Sequence, residues 1–327
     1  MMSTIKRIAV LTSGADAPGM NGAVRAVVRM GREQRWEVYG VRHGFRGLME
    51  DSFQKLESRS VSRILQLGGT FLGTTRDPKF KTEEGRQNAL RNLQRLDIDA
   101  VVVIGGAGSQ AGAYELSKMG MRVVGIAASV NNDIPGSDMT IGADTARNIA
   151  LESIDRLKTT AASTDRAFLV EVMGRDCGYL ALMAGIAGGA EVVVVPEFDT
   201  EPHAVATELW EAYQRLKSHA LAIVSEGAKY NAASIAKHFA EHRDLIGFDL
   251  RVTTLGHVQR GGAPTAFDRL LSSRLGAAAV ECLARGEHGV TVGWHDGKPV
   301  AIPFDKIVGL KKVLDESMYA LAKVLAK

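Results

Sequence analysis

Short, unbroken apolar runs recur along the chain at 8–11, 38–41, 100–104, 123–127, 168–172, 192–195 and 221–224. None alternates with polar residues, so each predicts a strand covered on both faces, as in a parallel sheet. Between them, stretches 22–34, 86–96, 144–158 and 204–218 place apolar residues three and four apart, the pattern of amphipathic helices. Strands alternating with helices predict an α/β protein with parallel sheets and right-handed crossovers.

Glycine sharpens this picture. The chain has 35 glycines in 327 residues, against a usual share of about 7%. Many follow directly on predicted strands, in Ser13-Gly14, in Gly105-Gly106-Ala107-Gly108-Ser109, and at Gly174 and Gly227. At the carboxyl ends of parallel strands, glycine lets the backbone approach a phosphate while the next helix offers its free N–H groups. Tight-turn chemistry explains any one cluster equally simply; several in register with strand ends favour phosphate. The standard fingerprints are missing. Gly14 to Gly19 has P-loop glycine spacing but continues Met20-Asn21, without the lysine and hydroxyl, and the Gly105 stretch lacks G-x-G-x-x-G followed by a ribose-binding acid.

Composition removes other classes. Forty Lys+Arg against 37 Asp+Glu give a formal charge of +3, too balanced to indicate nucleic acid or an anionic membrane as partner. Hydrophobic residues at 46% and charged residues at 24% fit a soluble globular protein. The length suits two domains or one large α/β unit. Cys177 and Cys282 are too few for a disulfide framework, which predicts reduced thiols and a cytoplasmic setting. Neither a signal-peptide pattern nor an 18-residue apolar span is present.

Six ordered segments carry a more specific signal: 11–21 (LTSGADAPGMN), 68–70 (GGT), 105–109 (GGAGS), 132–136 (NDIPG), 170–175 (VEVMGR) and 255–262 (LGHVQRGG). Together they resemble the bacterial ATP-dependent 6-phosphofructokinase family, from about Ile5 to about Val324. The resemblance implies an α/β phosphofructokinase fold of two Rossmann-like parallel-sheet domains. It divides the chain into a larger nucleotide-side domain, 1–142 with 260–309, and a smaller sugar-phosphate-side domain, 143–259 with 310–327.

By the same resemblance, Arg166, Arg251, His257 and Arg260 bind fructose 6-phosphate, with Met173, Gly174 and Glu226 at the sugar. Guanidinium forks suit phosphate and a carboxylate suits sugar hydroxyls. Arg76 bridges the two phosphates and stabilises charge in transfer. Gly14, Ala15, Phe45, Gly106, Gly108 and Ser109 fall at nucleotide-binding positions. Arg25 and Arg29, one helical turn apart, with Lys158 and Glu191, fall at positions that bind a regulatory nucleotide or phosphoenolpyruvate. Arg166 and Arg251 reach the sugar-phosphate site of a neighbouring subunit, implying a tetramer. The pyrophosphate-using relatives carry Asp and Lys where this chain has Gly108 and Ala128, so the resemblance is to the ATP type.

The transfer machinery departs from that pattern. Ala15 replaces a glycine, with an expected penalty if the position needs positive φ. Ala107 replaces the Asp that binds magnesium, and supplies no hard oxygen ligand. Asn131 replaces the Asp that takes the proton from the sugar hydroxyl, leaving Asp133 two residues further on. A positioned base is worth about 10²–10⁴ in rate. The expectation is therefore a fructose 6-phosphate-binding family member with impaired or lost transfer, as a homotetramer or co-assembled with an active relative. The alternative is an active ATP-dependent 6-phosphofructokinase making fructose 1,6-bisphosphate in glycolysis, with Mg2+ entering with ATP and no tightly held cofactor.

Overall fold

A computed structural model describes all residues except 1–4, 165, 216, 218–219 and 244–247. In the first half of the chain the elements are β1 (Arg7–Ser13), α1 (Met20–Glu33), β2 (Glu37–Val41), α2 (Gly44–Met49), β3 (Phe53–Leu56), α3 (Glu83–Arg95), β4 (Ala100–Gly105), α4 (Ala107–Lys118), β5 (Arg122–Ala127) and α5 (Ala143–Thr164). The second half gives β6 (Ala167–Val172), α6 (Tyr179–Gly188), β7 (Val192–Val194), α7 (Pro202–Gln214), β8 (Ala220–Ser225), α8 (Ala232–Glu241), β9 (Leu250–Thr254), α9 (Ala266–Ala284), β10 (Val290–His295), β11 (Lys298–Pro303) and α10 (Glu316–Leu325). Of the expected helix 204–218, residues 216 and 218 lie outside the described residues, and α7 ends at Gln214.

The described strands form two sheets. One has seven strands in the order β11-β10-β5-β4-β1-β2-β3; the other has four in the order β7-β8-β6-β9. The smaller sheet is parallel throughout. In the larger, β2, β1, β4, β5 and β10 run parallel, and only the edge strands β3 and β11 pair antiparallel. Every residue of β4 is buried, as expected of a strand covered on both faces.

The chain divides into two compact units, 1–145 with 260–312 and 146–259 with 313–327. In the first, Leu11, Val41, Phe45, Leu48, Val101, Val103, Leu116 and Phe304 form one face's core. Helix α1 buries Met20, Ala23, Val24, Val27, Val28 and Gly31, the three-and-four spacing of an amphipathic helix. Small residues let it lie close against α9: a Cβ on Gly276 would stand 2.7 Å from the Ala26 Cβ and 2.8 Å from the Ala23 carbonyl. The second unit centres on Leu169, Val194, Leu209, Val224, Ile235 and Phe239.

Candidate active site

Neighbouring strands β1, β4 and β5 end at one edge of the large sheet, and their following loops line a cavity of about 710 Å³. After β1 the chain turns at Gly14 (φ 84) and Gly19 (φ 107) before entering α1. The positive-φ strain expected at Ala15 is absent, because that residue is not among the non-glycine positions with positive φ. The two glycines carry the left-handed turns instead.

After β4, Gly106 caps α4 in an extended conformation, so Ala107 opens the helix, and residues 106–109 of this first turn line the cavity. A 12-residue helix N-terminus with free N–H groups favours an anion. Close packing here requires glycine: a Cβ on Gly105 would stand 2.5 Å from the Ser13 carbonyl oxygen, and one on Gly14 2.9 Å from Ser109 Oγ. A Cβ on Gly108 would meet nothing within 4 Å.

After β5 the loop carrying Ser129, Asn131 and Asp133 reaches the same cavity. Asn132 holds this loop. It adopts a left-handed φ of 53, accepts from the Thr140 amide at 2.9 Å and donates to the Asp138 carbonyl at 2.8 Å. Asn131 and Asp133 flank that fixed point, and both line the cavity. Ser109 Oγ, Asn131 Oδ1 and Asp133 Oδ1 are buried and make no hydrogen bond. All three belong to residues that line this one cavity, and buried oxygens call for donors or a cation.

Of the residues expected at a nucleotide, Gly14, Ala15, Phe45, Arg76, Gly106, Gly108 and Ser109 all line this cavity, as do Ala107, Asn131, Asp133 and Arg260. Arg260 donates to the Asp16 carbonyl at 3.1 Å. Thr74 Oγ1 donates to the Gly14 carbonyl at 2.8 Å and ties the Arg76 segment to the first loop. Sequence reasoning missed Phe80, Lys81, Arg86 and Gly112, which line it too. Phe80 stacks on Phe45 with centroids 4.1 Å apart and planes 11° from parallel, and Gly112 leaves the room: a Cβ there would stand 2.7 Å from the Phe45 ring. The basic residues of 76–86 after a glycine loop were the available signal.

In the second unit, the carboxyl ends of β6 and β8 bring together Met173, Gly174 and Glu226. The Met173 amide donates to Gln259 Oε1 at 2.8 Å, the Ser225 hydroxyl donates to the Gly174 carbonyl at 2.6 Å, and Glu226 lies 3.7 Å from Arg175 Nε. His257 follows β9 in the turn Gly256–Arg260. Arg166 and Arg251 are not with them. Arg251 pairs with Phe168 near the start of β6, and Arg166 directly precedes that strand. At about 3.3 Å per residue, both lie roughly 15–25 Å from Met173, at the opposite end of the sheet.

At the expected effector positions, Arg25 and Arg29 share one face of α1. Burial, then the neighbouring Arg29, pushes the Arg25 guanidinium below its usual range. Lys158 Nζ donates to the Gly188 carbonyl at the end of α6, at 3.0 Å. Glu191 is buried and bonded to Lys217 Nζ at 2.8 Å and the Leu221 amide at 2.7 Å.

The family described as Phosphofructokinase matches residues 7–283. The chain is 48% identical over 322 residues to an ATP-dependent 6-phosphofructokinase of Natranaerobius thermophilus, covering 98% of this chain and 100% of the relative. It is 47% identical to one of Listeria welshimeri, with the same coverage. Among solved structures, Pichia pastoris phosphofructokinase in the T-state superposes with a TM-score of 0.88 at 35% identity, over 99% of this chain and 37% of that one. A pyrophosphate-dependent phosphofructokinase from Marinobacter aquaeolei superposes with a TM-score of 0.83 at 21% identity, over 96% of this chain and 86% of that one, a likeness of fold alone.

Proposed function

The chain belongs to the phosphofructokinase family, and from that premise we propose that it transfers the terminal phosphoryl group of ATP to fructose 6-phosphate. The observation that carries this reading is identity of 47–48% to enzymes named ATP-dependent 6-phosphofructokinase, along their entire length.

In this reading the nucleotide enters the 710 Å³ cavity. Its phosphates lie at the start of α4 and at Gly14, and Phe45 and Phe80 offer ring faces to the base. Fructose 6-phosphate binds through Met173, Gly174, Glu226, His257 and Arg260, with Arg166 and Arg251 supplied by a neighbouring copy. Asp133, whose Oδ1 is buried without a hydrogen bond, accepts the proton of the attacking hydroxyl. Arg76 and Arg260 offset the charge that develops in transfer. The bare oxygens of Ser109 and Asn131 suit a hard cation; magnesium carried by the nucleotide would sit there and neutralise phosphate charge.

Two residues in the cavity wall favour a second reading, in which the same ligands bind but transfer is slow or lost. Ala107 offers no oxygen, and Asn131 cannot take a proton. The relatives' names favour the first reading, the residue chemistry the second. Steady-state assay of the purified chain, alone and mixed with an active relative, separates them. Turnover within about tenfold of the relative supports the first. Silence alone, with a rise in Tm on adding fructose 6-phosphate, supports the second. Arg25, Arg29, Lys158 and Glu191 are proposed to bind an effector such as ADP or phosphoenolpyruvate, and titration calorimetry with ADP tests them.

A further inference from the structure

Gln110, the fourth residue of α4, is wholly buried. Its Nε2 donates to the carbonyl of Gly105, the last residue of β4, at 2.8 Å and to the Ile126 carbonyl of β5 at 3.1 Å. Its Oε1 accepts from Thr291 Oγ1 of β10, also wholly buried, at 2.9 Å. A backbone carbonyl only accepts, so the nitrogen is the atom that faces Gly105 and Ile126. We propose that Gln110 is a positioning residue for phosphoryl transfer, whose amide sets where the first turn of α4 stands against the ends of β4 and β5. The inference rests on the reading above, in which the nucleotide's phosphates lie at the start of α4.

The bond from residue 110 back to residue 105 encloses residues 106–109 in one hydrogen-bonded ring. Those enclosed residues line the cavity. Their amides therefore take their places from two anchors, the end of β4 and the Gln110 side chain. Gln110 is tied to β4, β5 and β10 by one hydrogen bond each, and a buried network with its donors engaged holds a single arrangement. At a reacting centre a displacement of about 1 Å costs about 10²-fold in rate.

Strand β5 accommodates this amide with a glycine. It reads RVVGIA, and a Cβ on Gly125 would stand 1.9 Å from Gln110 Oε1 and 2.8 Å from Thr291 Oγ1. Glycine inside a strand weakens it and marks the close approach of another group. The group that approaches here is the Gln110–Thr291 pair.

Stability alone does not call for such a pair. Replacing both partners of a buried hydrogen bond by apolar groups of the same shape is nearly neutral, whereas removing one partner leaves the other bare. What the amide adds is direction. Apolar packing tolerates a small slide of the helix, and hydrogen bonds to three strands do not.

The test compares the full-length chain with Gln110→Met, which keeps the side chain's length without its polar atoms, and with Gln110→Met/Thr291→Val, which also removes the stranded hydroxyl. Calorimetric titration with the non-hydrolysable ATP analogue AMP-PNP and MgCl2 should give at least about tenfold weaker binding in both variants. The rise in Tm on adding fructose 6-phosphate should be unchanged. Melting without ligand separates positioning from stability. The double variant should regain part of the Tm lost in Gln110→Met, because no buried hydroxyl is left unpaired, yet its nucleotide binding should stay weak. If Gln110→Met fails to fold, Thr291→Val replaces it and should weaken AMP-PNP binding, while Thr291→Ser, which keeps the hydroxyl, should bind within about twofold of wild type. AMP-PNP binding that is unchanged in these variants, or that returns with Tm in the double variant, would overturn the inference and leave the nucleotide site standing. A wild-type chain that binds no AMP-PNP would overturn both.

Discussion

A single heavy atom separates Asn131 from the Asp that the family resemblance implies at its position, yet that atom decides whether a proton can be taken. With Asn131 in place, Asp133 is the carboxylate that the loop after β5 presents to the cavity. Asp133→Asn is therefore expected to lower kcat by about 10²–10⁴ while leaving the thermal shift with fructose 6-phosphate intact; an unchanged kcat would remove Asp133 from the mechanism. The converse change, Asn131→Asp, should raise kcat, and more so when Ala107→Asp is added, because such groups act as a unit. The motifs made these side chains legible in sequence. Asn132 belongs to the 132–136 motif, but its role as the pin of the loop depends on a left-handed backbone that only the structure reveals.

Another residue-scale consequence concerns Asp268, buried at the start of α9. It accepts from the Gly142 amide at 2.9 Å, the Thr145 amide at 2.8 Å and the Thr145 hydroxyl at 2.5 Å. Burial outweighs those donors and raises its pKa from 3.8 to about 6. The folded state thus holds this proton more tightly than the unfolded state does. The stability it contributes is full below about pH 4 and is lost as pH rises through about 6. The gap between 3.8 and about 6 is worth on the order of 3 kcal/mol. Denaturant melts at pH 4 and pH 7 should show this decline in the wild type relative to Asp268→Asn; parallel profiles would refute it.

At the scale of elements, the segment from β5 to α5 shows how a loop becomes rigid enough to position chemistry. Replacing Asn132 by Ala forces a left-handed φ on an ordinary residue, about 1–2 kcal/mol, and removes its side-chain hydrogen bonds to Thr140 and Asp138, about 1–3 kcal/mol. Replacing it by Gly removes only the bonds. Thermal melts should therefore rank wild type above Asn132→Gly and Asn132→Ala last, with kcat/KM falling in the same order. Inner strands β1, β2, β4, β5, β6 and β8 were legible because burial on both faces leaves an unbroken apolar run, and so was the edge strand β7. The edges β3, β9 and β11 were not. Strand β9 is half exposed and reads LRVTT, with no run to notice. The hairpin of β10 and β11 did carry a signal in Asp296-Gly297, whose φ values of 46 and 76 are those of a tight two-residue turn; continuous-run reasoning passed over it.

At the scale of the whole molecule, the decisive placement is that of Arg166 and Arg251. The register of β6 with β9 sets them at the strand starts, whereas Met173, Gly174 and Glu226 lie beyond the strand ends. Backbone positions roughly 15–25 Å apart along a sheet do not bring their side chains to one phosphate, so a site needing both groups must draw them from two chains. Two defective variants should then repair each other. Arg251→Ala spoils the site to which it lends its arginine, and Asp133→Asn spoils its own. In a closed homo-oligomer reassembled from equal amounts of the two, about a quarter of the sites would pair an intact Asp133 with an intact Arg251. Activity near a quarter of wild type after unfolding and joint refolding, with neither variant active alone, is the expected outcome. A mixture no more active than its components would mean that Arg251 serves no neighbouring site.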